Sequence, residues 1–237
     1  MQPRSIPTSA LVSLFVLLLC VTVVFGHPQS SQGQSLQLYL PLIRRAVVAQ
    51  PNAITVKSYN SYVQGADRYI IGEVVNTTNR IVYDVRITPI VIDANHNEVS
   101  KLTECFIKRL EPNKATPFKA IISGLAEPIT KLSLPYSYSS SMYPEYGSAQ
   151  VTVQSSNTYF GTTFAGAILN TNTRPLSEIV VAVTFYDDTG KIVDAEMHLL
   201  RGTVLPPQTS VQFYIQTRPL QTEFVSYTIQ AEGILQP

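Results

Sequence analysis

The sequence predicts an all-β protein that contains two tandem antiparallel β-sandwiches, and three observations lead to this prediction. Short segments rich in Val, Ile, Thr and Tyr follow one another between turn residues, with no helical period among them. The chain repeats itself at a constant offset of 94 residues, which is longer than the roughly 20 to 50 residues of a solenoid unit. Charged residues form only 14% of the chain, and 16 prolines favour turns over long helices.

The internal repeat is clearest where residues 72–99 are aligned with residues 166–193. Identical residues then fall together: Gly72 with Gly166, Asn76 with Asn170, Thr77 with Thr171, Arg80 with Arg174, Asp93 with Asp187 and Val99 with Val193. On either side the match continues at offsets of 97 and 95, as expected when loops between shared strands differ in length. We therefore expect a first copy at residues 52–137, a linker at 138–148 and a second copy at 149–237.

The N-terminus has the layout of a secretory signal. Arg4 precedes an uncharged apolar run over residues 10–26, and a polar stretch follows at once. We expect residues 1–26 to form a signal helix cleaved after Gly26, followed by a tether at 27–51. An uncleaved anchor is the alternative, because the run lies at the lower end of the roughly 17 to 25 residues that span a bilayer. Lipidation of Cys20 is disfavoured, since Leu19 precedes it and the apolar run continues beyond it.

Cleavage of the signal leaves Cys105 as the single cysteine of the mature chain, so no disulfide forms within it. Its neighbours Phe106 and Ile107 favour a small buried hydrophobe. A reactive thiol would need a cation to lower its pKa, for which Lys108 and Arg109 are weak candidates. An intermolecular disulfide is a further alternative.

One segment of the second copy predicts a strand register. Ile179, Val181, Val183 and Phe185 are apolar at every second position, so one face of this strand is expected in the core and the other outside. Pro89 interrupts the matching segment of the first copy. Because proline cannot donate to a sheet, we expect an edge strand or a bulge there.

The residues after this strand predict a tight hairpin turn. Asp187 begins it and Gly190 ends it in the left-handed region, a role that Asn97 is expected to take in the first copy. A calcium loop is the alternative, but such sites need six to eight oxygens and the first copy keeps only Asp93. Asn76 begins a glycosylation sequon that the second copy lacks at Asn170, so we predict that both asparagines cap the backbone.

Catalytic chemistry has few candidate residues. The three histidines, His27, His96 and His198, lie in the tether, in a turn and at a position without a counterpart in the first copy. No phosphate-binding loop, metal-ligand cluster or nucleophile elbow is found in the sequence. We therefore assign no catalytic, cofactor or metal residue and expect no enzymatic activity. A net charge of +1 also argues against a nucleic-acid partner.

The segment from Val183 to Asp187, with Gly166–Asn170 before it and Gly190 after it, resembles the FxLYD domain. This family is a small immunoglobulin-like sandwich of exported bacterial and archaeal proteins. Val183 and Phe185 take the two apolar places of the motif, and Tyr186 and Asp187 are kept. The first copy departs from the motif, with Pro89, Val91 and Ile92 before Asp93. The resemblance implies two tandem antiparallel immunoglobulin-like β-sandwiches after an N-terminal signal helix, and no activity.

Two functions follow as expectations. The first is a non-enzymatic secreted or cell-surface protein with a structural or binding role in the cell envelope, whose partner is a protein or polysaccharide; the membrane is a partner only if the N-terminal segment is retained. The alternative is an extracellular hydrolase or carbohydrate-active protein with a site between the copies. The Tyr- and Ser-rich segment at Tyr136–Tyr146 would form that site.

Overall fold

The computed structural model describes residues 53–237 apart from 159–160, 218–219 and 221–222. The predicted signal helix at 1–26 and the tether at 27–51 lie outside the described residues. The described strands all pair in antiparallel fashion, which confirms the all-β antiparallel prediction. Among the described residues, no helix has the length and apolar character needed to cross a membrane.

The first copy folds into short strands arranged in three sheets. Its described strands are Ile54–Gln64 (β1), Asp67–Asn76 (β2), Val82–Ile87 (β3), Ile90–Asp93 (β4), Glu98–Ser100 (β5), Thr103–Glu104 (β6), Arg109–Leu110 (β7), Ala115–Ile122 (β8), Ile129–Ser133 (β9) and Tyr136–Ser139 (β10). The sheet orders are β1-β2-β8, then β10-β3-β6 with β7 also on β3, and β5-β4-β9. A shared core of Ile, Val and Leu with Phe118 lies inside them.

The second copy forms one six-stranded sheet. Its described strands are Tyr146–Thr158 (β11), Gly161–Leu169 (β12), Leu176–Tyr186 (β13), Ile192–Leu205 (β14), Ser210–Gln216 (β15) and Ser226–Leu235 (β16). The order is β14-β13-β16-β11-β12-β15, and the long strand β11 pairs first with β16 and then with β12. The sheet therefore curls into a half-barrel around a core that contains Phe164, Phe185 and Phe213.

The linker predicted at 138–148 overlaps the end of β10 and the start of β11. Residues 140–145 connect these strands, and the peptide bond between Tyr143 and Pro144 is cis.

Glycines at the repeated position 72/166 allow close contacts within the sheets. Gly72 pairs with Phe118 on β8, and Gly166 pairs with Phe213 on β15. A Cβ atom on Gly72 would lie 2.4 Å from the Phe118 ring, and one on Gly166 would lie 2.0 Å from the carbonyl oxygen of Thr152. Both distances are far below van der Waals contact, so any larger side chain would displace a neighbour.

The repeated asparagines cap the backbone in the same way, which confirms that prediction. Asn76 is buried, and its Nδ2 donates to the carbonyl oxygens of Arg80 at 2.7 Å and Leu110 at 2.9 Å. Asn170 is also buried, and its Nδ2 donates to those of Arg174 and Leu205, both at 2.9 Å. A glycan on Asn76 would replace one of the hydrogens that make these bonds.

The predicted core face of β13 is confirmed, but the prediction for its other face is wrong. Val181, Val183 and Phe185 are fully buried in the core of the second copy. Ala182 and Thr184 were expected to face outward, yet they are buried, and so is Tyr186. The physical reason is that the first copy covers this outer face, as described below.

Pro89 separates two strands of the first copy. Strand β3 ends at Ile87 and β4 begins at Ile90, and the two strands belong to different sheets. The matching strand β13 of the second copy runs without a break. Because proline has no N–H to donate, the ladder stops at this position. The prediction of an edge strand or a bulge was wrong in form, since the strand is broken in two and β3 and β4 each pair on both sides.

The Asp187 turn is the predicted hairpin. Oδ1 of Asp187 accepts hydrogen bonds from the backbone N–H groups of Thr189 and Lys191, both at 2.9 Å, and Gly190 has a φ of 76°. In the first copy the left-handed residue is His96, with a φ of 64°, so the expectation for Asn97 was wrong. The side chain of Asn97 instead donates to Asp93 at 2.9 Å.

Candidate functional site

The surface between the two copies contains three buried carboxylates, Glu73, Asp194 and Glu232, and it forms the candidate functional site. Its apolar part consists of Ile71 from β2 packed with Tyr186, Ile192 and Ala195 from the second copy. Ile71 lies on the opposite side of β2 from the core residue Ile70. The outer faces of the two copies therefore bury each other. We call this contact the inter-copy interface.

The first polar contact of the interface joins Tyr186 to Glu73. The Tyr186 hydroxyl donates to Oε1 of Glu73 at 2.6 Å, and Lys57 Nζ lies 2.7 Å from Oε2 of the same carboxylate. Glu73 is only 2% exposed. Burial, followed by the hydrogen bond to Glu73, raises the pKa of Tyr186 to about 12. Tyr186 is thus a neutral donor to a buried carboxylate at physiological pH.

The second polar contact centres on Lys119 of β8. Its Nζ lies 2.8 Å from Oδ1 of Asp194 and 3.1 Å from Oε1 of Glu196, and it donates to the carbonyl oxygen of Ala195. The Tyr62 hydroxyl donates to the other Asp194 oxygen at 3.2 Å. Burial is the largest single influence and lowers the pKa of Lys119, but the Asp194 and Glu196 carboxylates together outweigh it, so the lysine pKa is raised. Lys119 therefore keeps its charge at neutral pH.

The third polar contact is a carboxylate held by backbone amides. Glu232 of β16 is 1% exposed and accepts hydrogen bonds from the N–H groups of Lys108 at 2.5 Å and Arg109 at 3.1 Å. Burial raises the pKa of Glu232 to about 7, although the two amides and the nearby cations act in the opposite direction. Nearby, burial followed by the charge of Glu232 raises the pKa of Tyr146.

A cavity of about 230 Å³ lies beside this contact. Aliphatic side chains from both copies line much of it, among them Ile107, Leu110, Val151 and Ile229, and Lys114 lies at its lining. Ligand pockets usually measure about 300 to 1,000 Å³. The cavity is smaller than this range, and we assign no ligand to it.

The Tyr-rich segment that the sequence singled out lies next to the interface. Tyr136 and Tyr138 belong to β10 and are half-buried against the core of the first copy. Tyr143 is 94% exposed, and Tyr146 begins β11. The segment thus divides into tyrosines that pack and one that faces solvent.

The histidines and the cysteine considered as catalytic or reactive candidates lie in different parts of the structure. His96 is in the first-copy turn, His198 is in β14 opposite Val181, and His27 lies outside the described residues. Cys105 is buried and pairs with Phe118 in an isolated bridge, and burial raises the pKa of its thiol well above the usual range. These features agree with the interpretation of Cys105 as a small buried hydrophobe.

In both turns the aspartate oxygens accept hydrogen bonds from residues of the same turn. The hydrogen bond from the Asn97 side chain lowers the pKa of Asp93, and the bond from the Thr189 side chain lowers that of Asp187. Within the described residues, no group of three or more His, Cys, Asp or Glu side chains is placed to hold a metal ion.

The interface residues were missed by the sequence analysis, although a signal for them was present. At the repeat offsets, Glu73 falls on Ala167, Asp194 on Ser100 and Lys119 on Tyr214. These charged residues lie within strands, and the other copy does not share them. Charges that a repeat does not share mark the surfaces where its copies have different surroundings.

No protein-family model matches the sequence, and no curated protein is similar to it. Among solved structures, the chain is distantly similar to the crystal structure of red sea bream transglutaminase, with 13% sequence identity and a TM-score of 0.24. The match covers 75% of this chain and 29% of that chain, so it spans less than a third of the transglutaminase. No family is assigned to the chain, and its own strands describe it as an all-β protein with several antiparallel sheets.

Proposed function

We propose that this chain is a non-enzymatic secreted or cell-surface protein with a structural or binding role in the cell envelope. The observation that carries the proposal is the inter-copy interface, where each copy buries an outer face of the other around Ile71 and Tyr186. Such packing holds two modules in one orientation. A protein that bears or transmits load, or that presents a surface at a fixed angle, needs this property.

The polar contacts support the same function. Glu73 and Glu232 are buried at the interface and Lys119 is partly buried there, and each has hydrogen-bonding partners in the other copy. Buried charges are costly when their partners are removed, so they disfavour other relative orientations of the copies. This favours a single arrangement over two freely jointed domains.

We further propose that both copies are immunoglobulin-like sandwiches of the FxLYD type. The matching asparagine caps at Asn76 and Asn170 and the matching aspartate turns at Asp93 and Asp187 support a common fold. The N-terminal sequence supports export to a secreted or extracytoplasmic location, with membrane attachment as the alternative if residues 1–26 are retained.

A candidate contact for an envelope partner is the exposed loop at residues 140–145. Tyr143 is the most exposed large apolar or aromatic side chain of the described residues, at 94%. Tyrosine combines an apolar ring with a polar hydroxyl and is common where proteins bind polysaccharide or protein surfaces. The loop joins the two copies, so their packing fixes where it stands.

The proposal is tested by export and binding together. The full gene is expressed in its source organism, and the N-terminus of the exported protein is sequenced; we expect it to begin at His27. The purified protein is then sedimented with polysaccharide isolated from that organism's envelope and titrated separately with extracted envelope proteins. We expect saturable binding to one of them, weakened at least tenfold by Tyr143→Ala.

Tyr214→Ala is the matched control, since Tyr214 is 60% exposed on β15 of the second copy. It should leave binding unchanged. Retention of the protein in the cytoplasm would contradict the location, and absence of binding to every envelope fraction would contradict the binding role. Release of soluble sugars or peptides from those fractions would favour the hydrolase alternative.

A further inference from the structure

Glu232 is a buried carboxylate that bridges the two copies without a cation of its own. It lies on β16 of the second copy, and its two oxygens accept the backbone N–H groups of Lys108 and Arg109 in the first copy. The two amide bonds favour the charged form of Glu232, whereas its burial disfavours that form more strongly. Separation of the copies would return this carboxylate to water.

The charged groups around Glu232 are engaged elsewhere. Lys108 Nζ lies 2.6 Å from Glu104 and 3.3 Å from Asp84, and the Arg109 guanidinium contacts Glu111. From β11, the neighbouring titratable group is Tyr146, whose pKa is raised. The pairing partners of Glu232 in the sheet, Ser148 of β11 and Val180 of β13, carry no charge.

We propose that the inter-copy interface is a proton-sensitive joint, in which Glu232 takes up a proton when the copies pack and releases it when they separate. Acidification through neutral pH then strengthens the packing of the copies. A rise in pH from about 4.5 toward 7 weakens it, because an ionised Glu232 must either stay buried or leave the interface. Lys119 does not titrate in this range, since its pKa is raised.

The direction of the pH dependence follows from the number of protons that the packed and the separated states bind. The pKa of Glu232 is about 7 in the packed protein against 4.5 for the free side chain, so the packed state binds more protons between these values. The stabilisation of the packed protein by protonated Glu232 is fully present below about pH 4.5. It declines as the pH rises from 4.5 toward 7, and it changes little above pH 7.

The first experiment measures urea unfolding of the full mature chain from pH 4 to 8, for wild type and for Glu232→Gln. Relative to the variant, the unfolding equilibrium constant of the wild type should rise by about 100-fold between pH 4.5 and 7. Glu223→Gln is the matched control, because Glu223 is exposed in the second copy. It should follow the wild-type curve. Equal pH dependence in wild type and Glu232→Gln would overturn the proposal.

A second measurement uses the wild type and does not depend on the variant folding. The Glu232 side-chain carboxyl carbon is titrated by NMR, and we expect its midpoint near pH 7. A midpoint near 4.5 would overturn the proposal. Amide hydrogen exchange then separates a joint from general stability. From pH 5 to 8, the protection of the Lys108 and Arg109 amides should fall more than that of the Val183 amide in the second-copy core, whereas an equal fall would contradict a joint.

Discussion

The two copies share their caps and turns but differ in their sheets. Asn76 and Asn170 make the same hydrogen bonds, and the first copy nevertheless has three small sheets where the second has one of six strands. The difference begins at Pro89, which falls on Val183 of the unbroken strand β13. The side-chain hydrogen bonds of the caps are thus kept in both copies, although the sequences differ enough to interrupt a strand. A cap needs only one asparagine, whereas a continuous β-ladder needs a backbone N–H at every pairing position.

The copies also differ in how their cores are filled. Phe164 and Phe185 of the second copy fall on Ile70 and Val91 of the first. The Phe185 ring centre is 5.8 Å from that of Phe164 and 4.9 Å from that of Phe224. The first copy fills the equivalent region with aliphatic side chains. Truncation of one core aromatic residue in the second copy should therefore lower the free energy of unfolding more than truncation of the equivalent aliphatic residue in the first copy.

The largest expected effect tests this difference in the cores. Phe185→Ala should lower the free energy of unfolding by about 3 to 5 kcal/mol, because it leaves a large cavity among aromatic rings. Val91→Ala at the equivalent place removes only two methyl groups and should cost about 2 kcal/mol. Urea unfolding of both variants measures the difference. Equal losses would show that the two cores tolerate truncation alike.

The next effect tests the similarity of the caps. Asn76→Ala and Asn170→Ala should each cost about 2 to 3 kcal/mol, since each change removes two side-chain hydrogen bonds to carbonyl oxygens, and the bond to Leu110 or Leu205 is buried. The two losses should agree within about 0.5 kcal/mol. Asn95→Ala, at an exposed turn position, serves as the control and should have little effect. A large difference between the two variants in the free energy of unfolding, measured by chemical denaturation, would show that the two caps are not structurally equivalent.

A smaller effect tests the interface that covers β13. Tyr186→Phe removes the hydroxyl that donates to Glu73 and should cost about 1 to 2 kcal/mol, because the buried carboxylate loses a partner. Tyr214→Phe removes an exposed hydroxyl and should change the stability by less than about 0.5 kcal/mol. Thermal and urea unfolding report both changes. Similar stabilities for the two variants would contradict a structural role for the Tyr186 contact.

The smallest effects concern the two turns. His96→Gly should stabilise the first copy by about 0.5 to 1 kcal/mol, because glycine adopts the left-handed conformation without strain. Gly190→Val should destabilise the second copy by about 1 kcal/mol or more, since a β-branched residue fits that region poorly.

Calcium distinguishes a structural turn from a ligand loop. The melting temperature of the wild type should not change when calcium is added, because the Asp187 carboxylate accepts bonds from its own turn. A calcium-dependent rise that Asp187→Asn abolishes would identify the turn as a binding site.

Much of the local structure could be predicted from the sequence. The alternation from Ile179 to Phe185 predicted the core face of β13, and the repeated asparagines and aspartates predicted the caps and turns. These features depend on neighbours in the chain or on one buried face. The left-handed residue of the first turn was misassigned to Asn97 because asparagine tolerates this conformation, whereas the repeat offset of 94 places His96 opposite Gly190.

The sequence by itself determined the all-β class, the repeated caps and an irregularity of the strand at Pro89, because backbone hydrogen bonding and side-chain periodicity are encoded locally. Only the tertiary structure decided that the outer face of β13 is buried and that Glu73, Lys119 and Glu232 meet the other copy. Alternation shows which face of a strand is apolar enough for a core. It does not show what covers the opposite face, because that depends on residues more than a hundred positions away in the chain.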